Sequence, residues 1–134
     1  MDNSLKLLAA RFIKISATRL EDFEGKISIA TNIKITSIEN TKDSNDAVKV
    51  SYTFEVDYGE LGSIEIIGYL FLGAEKKTIK ELVKAWEKKE FDSPEHATIT
   101  NIILKKASIK ALELEEELSL PIHLKLPTIT LNKD

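Results

Sequence analysis

The stretch that decides the fold is AVKVSYTFEVDYGELGSIEIIGYLFLG, residues 47 to 73. In its first half Val48, Val50, Tyr52, Phe54, Val56 and Tyr58 alternate with Lys49, Ser51, Thr53, Glu55 and Asp57. Successive side chains of a strand point to opposite faces, so this pattern describes a strand with one buried and one wet face. Tyr58-Gly59-Glu60-Leu61-Gly62 supplies a turn, and residues 63 to 73 return as a second strand. Here both faces are apolar, with Ile64, Ile66, Leu70 and Leu72 on one and Ile67, Tyr69 and Phe71 on the other. A strand apolar on both sides needs cover on both. Helices of the same chain can supply one cover. A loop or another subunit must supply the second, which makes Tyr69 and Phe71 candidate residues of an oligomer interface.

Upstream, KISIATNIKITSIEN (26 to 40) alternates through Ile27, Ile29, Ile33 and Ile35, and NTKDSND (40 to 46) is a polar hairpin connection. RFIKISATRL (11 to 20) is a weaker strand signal, with room for a short helix over 5 to 10 before it. Downstream, Thr78 and Glu81 have the spacing of a capping box. Ile79, Leu82, Val83 and Trp86 then form the stripe of a helix packed on a sheet, with Trp86 expected in the core. Ser93 caps a second helix with Pro94 at its first position, predicted to run to about Leu118. Its apolar positions spread from Ile99, Ile102, Ile103 and Leu104 to Leu112, Leu114 and Leu118, wider than one narrow stripe. A helix apolar over much of its girth is buried on more than one side, which again implies a subunit interface.

Strands followed by helices define an α+β class. The expectation is one domain over 1–134: a four-stranded antiparallel sheet, a short and a long helix packed on it, and an extended C-terminal arm. That arm is LSLPIHLKLPTITL, residues 118 to 131, where apolar and polar residues alternate and Pro121 and Pro127 stiffen the chain. Prolines suit an extended segment lying at an edge because they give no ladder donor.

The composition excludes several classes. The chain has 134 residues, 43% hydrophobic and 31% charged, as a folded globular domain does. A net charge of −3 argues against a general nucleic-acid binder. With no cysteine there is no disulfide, thiolate metal site or cysteine nucleophile, which fits a cytoplasmic protein. The longest apolar run, residues 66 to 74, is too short for a membrane helix, and the opening residues lack the sustained apolar region of a signal peptide. Glutamine is absent while Lys, Glu and Ile abound, a thermophile-like composition that an AT-rich genome also produces.

No catalytic, cofactor or metal constellation emerges, so an enzyme is not expected. His96 falls in the first turn of the long helix, and His123 falls on the polar side of the arm. The glycines are scattered at turns and strand ends rather than gathered in a phosphate loop. Lys76, Lys77, Lys80, Lys84, Lys88 and Lys89 form a basic flank on the short helix, either a solvated face or the mark of an anionic partner. Glu113, Glu115, Glu116 and Glu117 crowd a helix C-terminus, where negative charge is unfavourable. They read as a solubilising face or a docking patch.

The order of elements, with Asn101-Ile102-Ile103-Leu104 opening the long helix and LPIHLKLPTITL placing Pro121 and Pro127 after it, resembles the SecB family of protein-export chaperones. The resemblance implies a non-catalytic chaperone that binds unfolded or slowly folding polypeptides through apolar grooves. It implies a homotetramer built as a dimer of dimers, with long helices packed between dimers. Some members serve protein transport, others toxin–antitoxin systems. Ile102, Ile103 and Leu104 would begin the oligomer-facing helix. Two departures stand out: the family's long apolar loop between the first two strands is here only EDFEGK, 21 to 26, and TITLNKD stands where the family adds a helix. The polypeptide-binding residues are expected to be Phe12, Ile38, Leu124 and Leu126, beside the first two strands and the arm. The alternative is an interaction or scaffold subunit that binds one fixed protein partner.

Overall fold

A computed structural model describes residues 5–41 and 46–124. Four strands, β1 (Lys6–Arg19), β2 (Ala30–Asn40), β3 (Ala47–Asp57) and β4 (Gly62–Gly73), precede two helices, α1 (Lys76–Glu87) and α2 (Pro94–Leu118). The strands form one antiparallel sheet in the order β1-β4-β3-β2. A 3-10 turn over Gly59–Leu61 joins β3 to β4. The architecture is α+β, as the order of strands and helices predicts.

The alternation in residues 47 to 58 has the predicted outcome. Val48, Val50, Tyr52, Phe54, Val56 and Tyr58 are buried, and cross-strand pairing puts Ile64, Ile66, Leu70 and Leu72 on the same side. Both helices pack on that side. Gly68 is required in the middle of β4, because a Cβ there would stand 2.6 Å from the Arg11 carbonyl oxygen and 2.7 Å from the Tyr52 hydroxyl. Ile67, Tyr69 and Phe71 face the other way and remain half-exposed, on the side of the sheet opposite both described helices. Tyr69 and Phe71 meet edge to face at 5.2 Å, and the Lys49 ammonium lies 4.6 Å above the Tyr69 ring.

Three local expectations are corrected. Residues 6 to 10 are strand rather than helix: β1 pairs with β4 from Lys6 onward, and that ladder outweighs the helix-favouring Leu-Leu-Ala-Ala composition. The strand expected from residue 26 begins only at Ala30, which pairs with the last residue of β3, Asp57, so residues 26 to 29 have no ladder partner among the described residues. No capping box forms at Thr78 and Glu81. Helix α1 opens earlier, where Ile79 N–H bonds the Glu75 carbonyl at 3.0 Å, and Thr78 lies buried inside its first turn.

Helix α2 is capped as expected, with the His96 N–H bonding Ser93 Oγ at 3.1 Å and Pro94 at the first position. Ile99, Ile103, Ala107, Ala111 and Glu115 form its inward stripe. Ile103 is thus fully buried in the core of its own chain, a correction to its expected place at an oligomer interface. Ile102 and Leu104, one step either side, are half-buried. No described helix is long and apolar enough to cross a membrane.

Candidate polypeptide-binding groove

Strand β2 is an edge strand, and Ile33 and Ile35 point from it toward the helices. Past the end of α1 the chain reverses through Lys89, whose φ of 60° is left-handed, with Glu90 N–H bonding the Ala85 carbonyl at 2.9 Å. That reversal folds Phe91 back onto Trp86, ring centroids 5.3 Å apart. The Ser93 cap then holds the first turn of α2 so that His96 lies 5.2 Å from Phe91. Ile33, Ile35, Trp86, Phe91 and His96 thereby line one open, mainly apolar pocket of about 620 Å³. This lies within the usual ~300–1,000 Å³ of a ligand pocket. Burial lowers the His96 pKa, so the ring is neutral at pH 7 and adds to the apolar wall.

A second depression runs on toward the other end of α1, between Asn40 at the end of β2 and Ile79 and Val83. Glu87 lines both, so the two lie next to each other as a trough in two parts along the seam between β2 and α1. Trp86 is therefore not a core residue as its spacing suggested. It is the half-buried wall of the trough, because the residues beyond α1 turn back rather than close over it.

The expected polypeptide-binding residues are not brought together. Phe12 lies on β1 and Ile38 on β2, opposite edges of the sheet with two strands between them. Phe12 is 41% exposed, whereas Ile38 is buried beneath the helices. Leu124 is exposed at the last described position, and Leu126 lies outside the described residues. A separate apolar surface runs along β1, where Leu7, Leu8, Phe12, Ile13 and Ile15 are all exposed.

The start of the arm carries an arrangement that the sequence conceals. Ser119 adopts a left-handed conformation at the end of α2, and Leu120 N–H bonds back to the Glu115 carbonyl at 2.8 Å. This turn lays His123 over the helix. Its backbone N–H donates to Glu115 Oε2 at 3.0 Å, its Nδ1 lies 2.9 Å from Oε1, and its Nε2 lies 3.2 Å from Ser108 Oγ. The Tyr58 hydroxyl donates to the same carboxylate, and the His123 ring packs edge-on to Phe54 at 5.9 Å. Neither the Glu115 nor the His123 side chain is exposed. His123 is thus buried rather than on a wet face, and Glu115 separates from the exposed acids around it. Ser108, His123 and Glu115 stand in the order of nucleophile, base and orienting acid. Ser108 is 4% exposed and the His123 and Glu115 side chains are fully covered, so the three are closed off from solvent in this arrangement. The cluster clasps the arm to α2 and to the end of β3.

The fold is SecB-like. A solved structure of the Mycobacterium tuberculosis Rv1957 SecB-like chaperone, in complex with a ChAD peptide from the Rv1956 HigA1 antitoxin, is similar in fold with a TM-score of 0.58. The match covers 94% of this chain and 88% of that one at 10% sequence identity. No protein-family model and no curated protein sequence matches the chain.

Proposed function

We propose that this protein is a chaperone-like binder of extended, unfolded polypeptide, acting in the cytoplasm without catalysis. The observation that carries this reading is the apolar trough between β2 and α1, floored by Ile33 and Ile35 and walled by Trp86 and Phe91. It lies beside an edge strand whose outer hydrogen-bonding groups can receive an extended segment, and alternate side chains of that segment can then enter the trough. Burying each large side chain contributes about 1.5–3 kcal/mol before the cost of ordering the client, so short clients bind weakly and affinity grows with length. The SecB-like fold supports the same reading.

The working form is a homo-oligomer, dimer or tetramer. Its support is the half-exposed apolar face of β4 at Tyr69 and Phe71, the exposed residues of β1, and Ile102 and Leu104 on α2. A second reading, a subunit dedicated to one protein partner, draws support from the fold neighbour's capture in complex with a peptide from a single antitoxin.

The experiment is suppression of aggregation of an unrelated denatured protein, with wild type and with a Trp86→Ser/Phe91→Ser double variant. The chaperone reading requires suppression by the wild type and its loss in a folded double variant. A wild type that never suppresses aggregation contradicts it and leaves the dedicated-partner reading.

A further inference from the structure

The trough has an apolar floor, but its rim is charged and mostly of one sign. Lys34 and Lys89 line the pocket at the Trp86 end, and Lys76, Lys80 and Lys84 line the depression at the other end. Among the described residues Glu87 is the one carboxylate on either lining, and it is shared by both. Lys34 lies between the inward-facing Ile33 and Ile35, so its side chain belongs to the other face of β2. That leaves Lys76, Lys80, Lys84 and Lys89 against Glu87 along a single seam, a local inversion of sign in a chain whose net charge is −3. None of these four ammonium groups is in an ion pair among the described residues, whereas Lys14 and Lys110 are paired with Glu65 and Glu113. The spacing of Lys76, Lys80 and Lys84 accounts for their alignment, since residues four apart share one helix face. Lys77 and Lys88, of the same basic flank, are not on the lining.

We infer that the trough selects polypeptide segments in which apolar anchors are flanked by acidic residues. The inference rests on the polypeptide-binding reading above and adds the chemistry of the partner. An apolar side chain in the trough brings its sequence neighbours within reach of the rim. There a carboxylate meets an unpaired ammonium and a lysine of the client meets a like charge. The floor supplies affinity without regard to sequence, while the rim discriminates by charge. Among unfolded segments of equal hydrophobicity, the acidic ones are retained.

Trp86 is the sole tryptophan and stands in the trough wall, so its emission reports occupancy directly. Three Trp-free synthetic peptides with the same Leu/Phe anchors and Glu, Ser or Lys flanks are titrated at low and at high salt. Three exposed ion pairs of ordinary strength amount to about tenfold. The Glu-flanked peptide is therefore expected to bind about tenfold more tightly than the Ser-flanked one at low salt, with the Lys-flanked one weakest, and the three to converge at high salt. In Lys80→Glu/Lys84→Glu/Lys89→Glu, which changes only exposed side chains, the order is expected to reverse. If all three peptides shift Trp86 emission with equal affinity, the rim inference is overturned and the polypeptide-binding reading stands. If none shifts it, both are overturned. If Trp86 emission instead changes with protein concentration alone, a second copy of this chain occupies the trough and the inference is likewise overturned.

Discussion

The carboxylate of Glu115 and the imidazole of His123, eight residues apart in the chain, meet at 2.9 Å with neither side chain exposed. Glu115 would be unfavourable in the last turn of α2 by the helix dipole alone. The Tyr58 hydroxyl and the backbone N–H and ring of His123 offset that cost by bonding it. Glu115→Ala strands these groups in the interior, at about 1–3 kcal/mol for each unsatisfied group. The expected loss in urea denaturation therefore exceeds about 2 kcal/mol. Glu113→Ala, two residues earlier, removes only an exposed pair with Lys110 and is expected to change stability by no more than about 0.5 kcal/mol. Equal effects of the two substitutions would refute the clasp.

The same cluster sets the alkaline limit of stability. Burial first, then the hydrogen bond to and charge of Glu115, push the Tyr58 pKa far above its ordinary value, and burial raises Tyr52 as well. In the unfolded chain both ionise near pH 10. Above that pH the unfolded state holds fewer protons than the folded state, so stability falls as pH rises. Between pH 7 and 9 these groups contribute no slope. The urea midpoint is expected to be level over that window and to fall between pH 10 and 11.5, less steeply in Tyr58→Phe. A midpoint level through pH 11.5 would contradict the burial of both hydroxyls.

Trp86 separates wall from core. A fully buried tryptophan loses about 3–5 kcal/mol on truncation to alanine. Trp86 is only half-buried, so Trp86→Ala is expected to cost no more than about 2 kcal/mol while abolishing client binding. A loss of 4 kcal/mol or more, roughly the value of a core tryptophan, would return this residue to the interior.

Gly68→Ala tests the packing that holds the sheet under its helices. The added methyl must displace the Arg11 backbone and the Tyr52 ring, and overpacking of this kind costs about 1–3 kcal/mol. Gly59, whose φ of 68° favours glycine for a different reason, has open space around it, so Gly59→Asn is expected to be the milder change.

The architecture was legible because binary alternation dominates residues 47 to 73, and because Ser93-Pro94 marks the start of α2 unambiguously. The sheet order was not, since nothing local in β1 or β2 says which strand each will pair with. Phe12 and Ile38 therefore look like neighbours in the sequence pattern, although they lie on opposite edges of the sheet. The trough was hidden for a related reason: Ile33 and Phe91 are brought together only by the reversal at Lys89. Glu115 was the one recoverable residue. Steps of four from Ile99 through Ile103, Ala107 and Ala111 arrive at it, which marks it as inward-facing despite its acidic neighbours. His123 could not be found that way, because the left-handed turn at Ser119 resets the direction of the chain.

Amide hydrogen exchange with and without a permanently unfolded polypeptide tests the central claim most directly, because it reports both binding and its place. The account predicts slowed exchange in β2, in α1 from about Val83 to Glu87 and in the first turn of α2, with β3 unchanged. Protection nowhere, or confined to β1, would contradict it.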